Sequence, residues 1–291
     1  MSYRSANLLL GNDECAAAIE CALLGPELLF TSDAFIAVTG AWMTPMCDGE
    51  EVPRNTVVAI QAGQTLALKF AARGARAYIA VAGGIDVPEQ LGSRSTYRSG
   101  SLGGVDGRAL QTGDRVQFGP ASTTPLMGRT IPEHLQMPLP KDMTARVVPG
   151  LYDHRVSRES MELFLSEPWT VASEADRVGY RLKGGTSLTF VERVTPFGAG
   201  EDPSNIVDAC YPVGSIQVPS GQQPIILHRD AVSGGGYMMV GAVISADMDA
   251  VGQLPPGATL RFRAVSMDEA LQARAQRSAL LEEIRAVLTA V

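Results

Sequence analysis

VAGGIDVPEQLGSRSTYRSGSLGGVDGRALQTGD, residues 81–114, is the passage on which the rest of the chain turns. It closes an apolar run, Ala77-Tyr78-Ile79-Ala80-Val81, whose length and β-branched and aromatic content suit a buried strand. Paired glycines follow at 83–84 and 103–104, with single ones at 92, 100, 107 and 113. Glycines this dense imply a backbone that turns with positive φ or lies close against something, because no other residue does either cheaply. Ser93, Arg94, Ser95, Thr96 and Arg108, spaced between them, supply donors suited to an anion, a carboxylate or a polarised carbonyl. Long structureless loops are uncommon unless they are functional.

Working outward, short strands recur at regular spacing before this loop, at 19–24, 28–30, 34–39, 56–60, 65–70 and 76–81. Residues 115–118 close the first half. Gly25-Pro26, Gly40, Gly49, Pro53, Gly63 and Gly74 punctuate the series. Such spacing favours a barrel or sandwich over an open parallel sheet, which needs long helices between its strands. Residues 121–143 carry several prolines and no sustained period, and read as a linker. A helix is expected within 152–164. Strands follow at 144–148, 169–172, 180–182, 216–218, 225–227, 240–244 and 259–263. From 266 to 291 runs an amphipathic helix, opened by the capping box Ser266-x-x-Glu269. The expected class is therefore all-β, with short helices and a C-terminal helix. Its domains would span 1–120, 144–265 and 266–291.

The 291 residues carry a formal net charge of −7, with 45% apolar residues, ample for a packed core. An acidic balance argues against a nucleic-acid partner. No apolar run approaches the length of a membrane helix and no signal sequence opens the chain, so a soluble cytoplasmic protein is expected. Cys15, Cys21, Cys47 and Cys210 show no CxxC spacing and read as free buried thiols. The three histidines are scattered, so no metal site is expected. No P-loop, Rossmann, nucleophile-elbow or zinc-protease motif occurs. Lysine occurs only at 69, 141 and 183, none of them in a Met-Lys-Met context, so covalent biotin is not expected on this chain. ATP, if used, needs a nonstandard site or another chain.

What remains is a pocket of backbone donors, hydroxyls and arginines. Arg94 could give planar bidentate pairing, and Ser93, Ser95 and Thr96 could fix a carboxylate or orient an amide. Gly103 and Gly104 could bring N–H groups to a developing oxyanion. Arg108 either joins them or pairs with Asp106 or Asp114 beneath the loop. In the second half, Arg177, Gln217, Gly235, Gly236 and Tyr237 are substrate-contact candidates. Arg177 could equally be a surface pair with its neighbour Asp176. Asp230 could act as a base or orient a partner. The three glycines at 234–236 would form a flexible lid unless something packs against them. Arg94, Arg108 and Asp230 are the expected catalytic residues.

Three blocks carry a resemblance. GGIDVPEQLGSRST with GGVDGRALQTGD (83–114), SEADRVGYRLKG (173–184) and GSIQVPSGQQPIIL (214–227) resemble the allophanate hydrolase subunit 2, or KipA-like, family. The resemblance implies two cyclophilin-like β-barrels, with these segments lining a cleft. It implies the C component of an ATP-dependent 5-oxoprolinase, acting on a small amide with a KipI-like B component and a separate hydrolase, the A component. ATP would then be handled by the complex. It also admits the carboxyltransferase component of a biotin-dependent urea carboxylase, or a non-catalytic antagonist of a KipI-like kinase inhibitor. The family's VQDxGR strand has no counterpart in this sequence. Its DRQTTGGYP loop here reads DAVSGGGYM (230–238), and its usual arginine after the Ser-Thr pair is shifted, with Arg98 present and Ser99 in its place.

Overall fold

The computed structural model describes residues 1–289. Internal contacts divide the chain into two compact units, Met1–Leu139 with the residues from Ala279 onward, and Pro140–Ser278. The expected boundaries shift accordingly. Residues 121–139, read from sequence as linker, belong to the first unit because Ile131 and Leu135 are buried in its core. The terminal helix spans Met267–Thr289, and its residues divide between the two units. Positions 290 and 291, included in the expected helix, lie outside the described residues.

The first unit opens with α1 (Ser2–Leu9) and then runs through β1 (Ile19–Ala22), β2 (Glu27–Leu29), β3 (Ala34–Trp42) and β4 (Pro45–Cys47). It continues with β5 (Glu50–Glu51), β6 (Val57–Ile60), β7 (Thr65–Leu68) and β8 (Arg73–Val81). These strands form two four-stranded sheets, ordered β1-β8-β3-β6 and β2-β7-β4-β5. Period-two alternation explains how one sheet serves two cores. Ile36 pairs with Val81 and Val38 with Ile79, and all four pack with Leu66 and Leu68 of β7. The intervening Ala37 and Ala80 face the other way, among Leu9 of α1, Ile131, and Leu281, Ile284 and Leu288 of the terminal helix. Branched side chains fill the space between sheets, while alanines let helical side chains come close. Residues 115–118 form only one bridge, Ile85 to Phe118, not the expected strand.

The second unit contains β9 (Asp142–Pro149), α2 (Arg158–Ser166), β10 (Trp169–Val171), β11 (Gly179–Lys183) and β12 (Asn205–Cys210). There follow β13 (Ser215–Gln217), β14 (Ile225–Leu227), β15 (Gly234–Tyr237), β16 (Met239–Val243), α3 (Met248–Val251), β17 (Thr259–Ala264) and the first part of α4 (Met267–Thr289), up to Ser278. Seven strands close a barrel in the order β10-β11-β14-β13-β16-β9-β17, sealed by pairing of β17 with β10. Closure removes the open edges that would otherwise invite misassociation. Ser157 caps α2, its hydroxyl accepting the Ser160 amide at 3.2 Å. The helix delivers Phe164 onto Phe262 (ring centroids 4.7 Å) and Trp169 (5.8 Å), all three buried in the barrel core. Each such side chain contributes roughly 1.5–3 kcal/mol by leaving water. The capping box of α4 is formed reciprocally: Ser266 Oγ accepts the Glu269 amide at 3.2 Å and Glu269 Oε2 accepts the Ser266 amide at 2.9 Å.

Of the cysteines, Cys21 and Cys47 are buried, and burial pushes the Cys21 thiol up to about 12. Cys15 and Cys210 are exposed, against the sequence expectation, because they lie in a polar turn and at the end of a two-stranded ribbon. Among the described residues no helix is long and apolar enough to cross a membrane.

Candidate functional site

The glycine-dense loop of the first unit is tied at its base and folded back on itself. The Gly119 amide donates to Gly84 O (2.9 Å) and the Asp86 amide to Gln117 O (2.8 Å). Within the loop, Gln90 and Ser93 exchange backbone hydrogen bonds of 2.8 and 3.0 Å across Leu91 and Gly92, both with positive φ. Tyr97 and Leu102 do the same across the next turn, at 2.8 and 3.1 Å. These two tight turns bring Ser95-Thr96 against Gly103-Gly104. A Cβ at Gly103 (φ +69) would fall 2.1 Å from Ser95 O, and one at Gly104 (φ +56) 1.9 Å from Thr96 Oγ1. Glycine is therefore required at both positions by space as well as by conformation. The Gly103 amide donates to Gln90 Oε1 at 3.1 Å, while the Gly104 amide and the Thr96 hydroxyl make no hydrogen bond among the described residues. Ser93 Oγ accepts the Ser95 amide at 3.1 Å.

Of the loop's four arginines, Arg94 and Arg108 are engaged within the loop itself. Nη1 of Arg94 donates to the Val87 carbonyl, tying the loop to its own first residues. Arg108 pairs with Asp114 in bidentate fashion, at 2.7 and 2.9 Å, and reaches Asp106 at 3.3 Å. Asp114 also accepts the Gln111 amide at 2.7 Å, and the Arg108 hydrogen bonds hold its carboxyl down to about 2. Of the two readings of Arg108, the geometry takes the structural one.

In the second unit, Arg177 and Asp230 form a bidentate pair, Nε to Oδ2 and Nη2 to Oδ1, both at 3.0 Å. Arg177, read from sequence as a substrate contact or a surface pair with Asp176, thus has a distant carboxylate as its bidentate partner. The carboxylate of Asp176 instead accepts the amides of Val178 (2.8 Å) and Gly179 (3.1 Å), turning the chain into β11. The Asp230 amide donates to Arg177 O at 2.8 Å, so side chain and backbone together lock the exit of β14 to the entry of β11. With both oxygens on one guanidinium, Asp230 is an anchor rather than a free base. Tyr180 and Leu182 are buried and Arg181 is exposed, as alternation requires.

The three glycines at 234–236 are not a loose lid. They form β15, paired with β12 through Cys210–Gly234, Ala209–Gly235 and Asn205–Tyr237. Their organiser is Tyr211, which no sequence pattern singles out. Its phenol oxygen lies 2.5 Å from both Gly235 O and Tyr237 O, donating to one of them, and accepts the Tyr237 amide at 3.0 Å. Burial pushes the Tyr211 phenol up from its ordinary range, partly offset by hydrogen bonds with the Tyr237 backbone and the Gln217 side chain. A Cβ at Gly235 would stand 3.4 Å from the Tyr211 ring. Gln217, buried at the end of β13, thus meets the phenol that clamps Gly235, while the Tyr237 side chain is exposed.

A second group invisible in the sequence fixes the turn after Gln217. Asp202 accepts from the hydroxyls of Ser204 and Ser220, both at 2.7 Å, and Ser204 Oγ accepts the Ser220 amide at 2.9 Å. These hydroxyls hold the Asp202 carboxyl below its usual range. Asp202 and Ser204 are two residues apart, but Ser220 lies 18 residues on, and no local pattern links it to them.

Comparison with known proteins places this arrangement. A family model described as carboxyltransferase domain, subdomain A and B, matches residues 1–264. The chain belongs to this family. Among its relatives, the C component of 5-oxoprolinase from Escherichia coli (strain K12) is 36% identical over 97% of this chain and 86% of its own length. The urea amidolyase of Saccharomyces cerevisiae (strain ATCC 204508 / S288c) is 35% identical over 92% of this chain, which spans only 15% of that protein. The crystal structure of Kluyveromyces lactis urea carboxylase superposes with a TM-score of 0.89 at 31% identity, covering 99% of this chain and 26% of that one. The carboxyltransferase-domain fold thus occurs both as most of a short chain and as one part of much larger ones.

Proposed function

We propose that this chain is the C component of an ATP-dependent 5-oxoprolinase, inactive alone and working with a KipI-like B component and a separate hydrolase, the A component. The observation that carries the reading is likeness along nearly the whole of both chains to the E. coli protein, with 97% of one and 86% of the other aligned. The loop chemistry agrees with a small cyclic amide as guest. The Thr96 hydroxyl and Gly104 amide are unspent donors on a backbone that cannot relax away, the arrangement that favours charge developing on an amide oxygen. Ser95 adds a second hydroxyl within the same turn.

The loop does not suit a triphosphate. Arg94 and Arg108 are committed within it, and only the short turn Arg98–Gly100 follows the Ser-Thr run where a phosphate cradle would need a helix. ATP therefore belongs, in this proposal, to the assembled complex. The second reading, a carboxyltransferase component of a urea carboxylase-type enzyme, draws on the TM-score of 0.89 to the K. lactis protein.

The test is reassembly. The purified chain, mixed with its KipI-like and hydrolase partners, is expected to hydrolyse ATP in proportion to added 5-oxoproline and to release glutamate. Omission of this chain should abolish both. ATP turnover indifferent to 5-oxoproline, together with carboxyl transfer to urea from carboxybiotin, would replace the first reading by the second.

A further inference from the structure

A cavity of about 170 Å³ in the first unit is built from segments that the proposed function leaves unused. It is lined by Ser2 and Ser5 of α1, the end of β3, Arg54, Arg73 and residues 131–139. That volume is about ten times what one water requires, room for a ligand of several heavy atoms.

Its chemistry is lopsided. The Arg54 guanidinium lies 5.2 Å over the Trp42 ring, and its Nη2 donates to Gly40 O at 2.5 Å. Its Nε is buried with no hydrogen-bond partner, and Nη1 has none among the described residues. Arg108, Arg146, Arg177, Arg277 and Arg285 pair with carboxylates, whereas Arg94, Arg129 and Arg155, like Arg54, donate to backbone carbonyls. Arg54 and Arg73 take none among the described residues, although the chain holds 31 acidic residues against 24 basic. Burial lowers the Arg54 pKa, the residue being half-buried with no carboxylate beside it among the described residues. Stacking on Trp42 contributes about 0.5–2 kcal/mol and leaves the buried Nε without an acceptor. Facing these cations are Ile131 and Leu135, both buried apolar side chains, with Met137 beside them.

We infer that this cavity binds a small monocarboxylate with a compact apolar body, its carboxylate on Arg54 with Arg73 at the rim. The planar guanidinium matches a carboxylate in two-point fashion. Arg54 is half-buried and Arg73 exposed, so a single negative charge is what the cavity wall neutralises. The apolar wall takes the remainder of the ligand. No cavity residue belongs to the loop at 83–119, β12 or β15, so the cavity is a site separate from that loop.

The experiment is calorimetric titration of the full chain with cyclopentanecarboxylate, acetate and inorganic phosphate, chloride holding ionic strength constant. Emission of Trp42 is followed in parallel. Cyclopentanecarboxylate is expected to bind one-to-one, more tightly than acetate, with a change in indole emission. Arg54→Gln should weaken it by ~10-fold or more, and Arg73→Gln, whose side chain is exposed and safe for folding, by a few-fold. Saturation by no carboxylate, affinity unchanged in both variants, or tighter binding of phosphate would each overturn the inference.

Discussion

Two segments of this molecule are rich in glycine, and they are held by different physics. The loop at 83–119 uses glycine for conformation: Gly103 and Gly104 have positive φ and stand where any Cβ would enter Ser95 O or Thr96 Oγ1. The strand at 234–237 uses glycine for approach: none of its three glycines has positive φ, and a single phenol, that of Tyr211, reaches its carbonyls and amide. The first is fixed by what its own backbone forbids, the second by one side chain supplied from beside β12. Glycine content alone therefore says nothing about mobility. What surrounds the glycine decides.

Substitutions put this difference at risk. Gly103→Ala and Gly104→Ala should be the most damaging, since backbone strain and overpacking together cost roughly 2–5 kcal/mol. Denaturant unfolding would show it, and a cost below ~1 kcal/mol at both sites would mean that the loop can relax. Tyr211→Phe comes next. It leaves the part-buried carbonyls of Gly235 and Tyr237 and the Tyr237 amide without their phenol partner, at about 0.5–1.5 kcal/mol. Hydrogen exchange should accelerate at the Tyr237 amide and along β12 and β15. Gly235→Ala should be mild, within ~1 kcal/mol of wild type, since its φ is ordinary and alanine is the better strand residue. If it proves as damaging as Gly103→Ala, the distinction between the two segments collapses.

A subtler change concerns pH. Asp114 has its pKa lowered to about 2 by Arg108, so its contribution is complete above the ordinary carboxylate range, near pH 4. It is lost as pH falls toward about 2. Carboxyl titration by NMR should find Asp114 returned toward its ordinary value in Arg108→Gln. An unchanged titration would remove Arg108 from the support of this loop.

The strands that build both cores are legible in the sequence because they are apolar, β-branched and spaced by turn residues. The runs at 34–39, 76–81, 216–218 and 225–227 are paired strands. The capping box at Ser266 is legible because its two partners are three residues apart. In the site, glycine spacing reports on backbone geometry, and so indicates that Ser95-Thr96 and Gly103-Gly104 matter together. It cannot indicate that Arg94 and Arg108 turn inward, because guanidinium partners are chosen in three dimensions. Arg177 shows this best: Asp176 is adjacent in sequence, yet Asp230 takes the charge. Tyr211 escapes a sequence reading for the same reason. A lone tyrosine beside Pro212 carries no local signature, and only the fold places its hydroxyl on a strand more than twenty residues away.

In the proposed reaction, the first-unit loop works through its main-chain and hydroxyl donors while Arg94 and Arg108 are scaffolding. Thr96→Val isolates that division of labour, because it deletes one unspent hydroxyl and keeps the shape that packs on Gly104. In the reassembled 5-oxoproline-dependent system, thermal stability should be unchanged and kcat lowered by ~10²-fold or more, as for loss of an oxyanion donor. Full activity in Thr96→Val, with stability intact, would show that the hydroxyl plays no part and that the loop acts by other means.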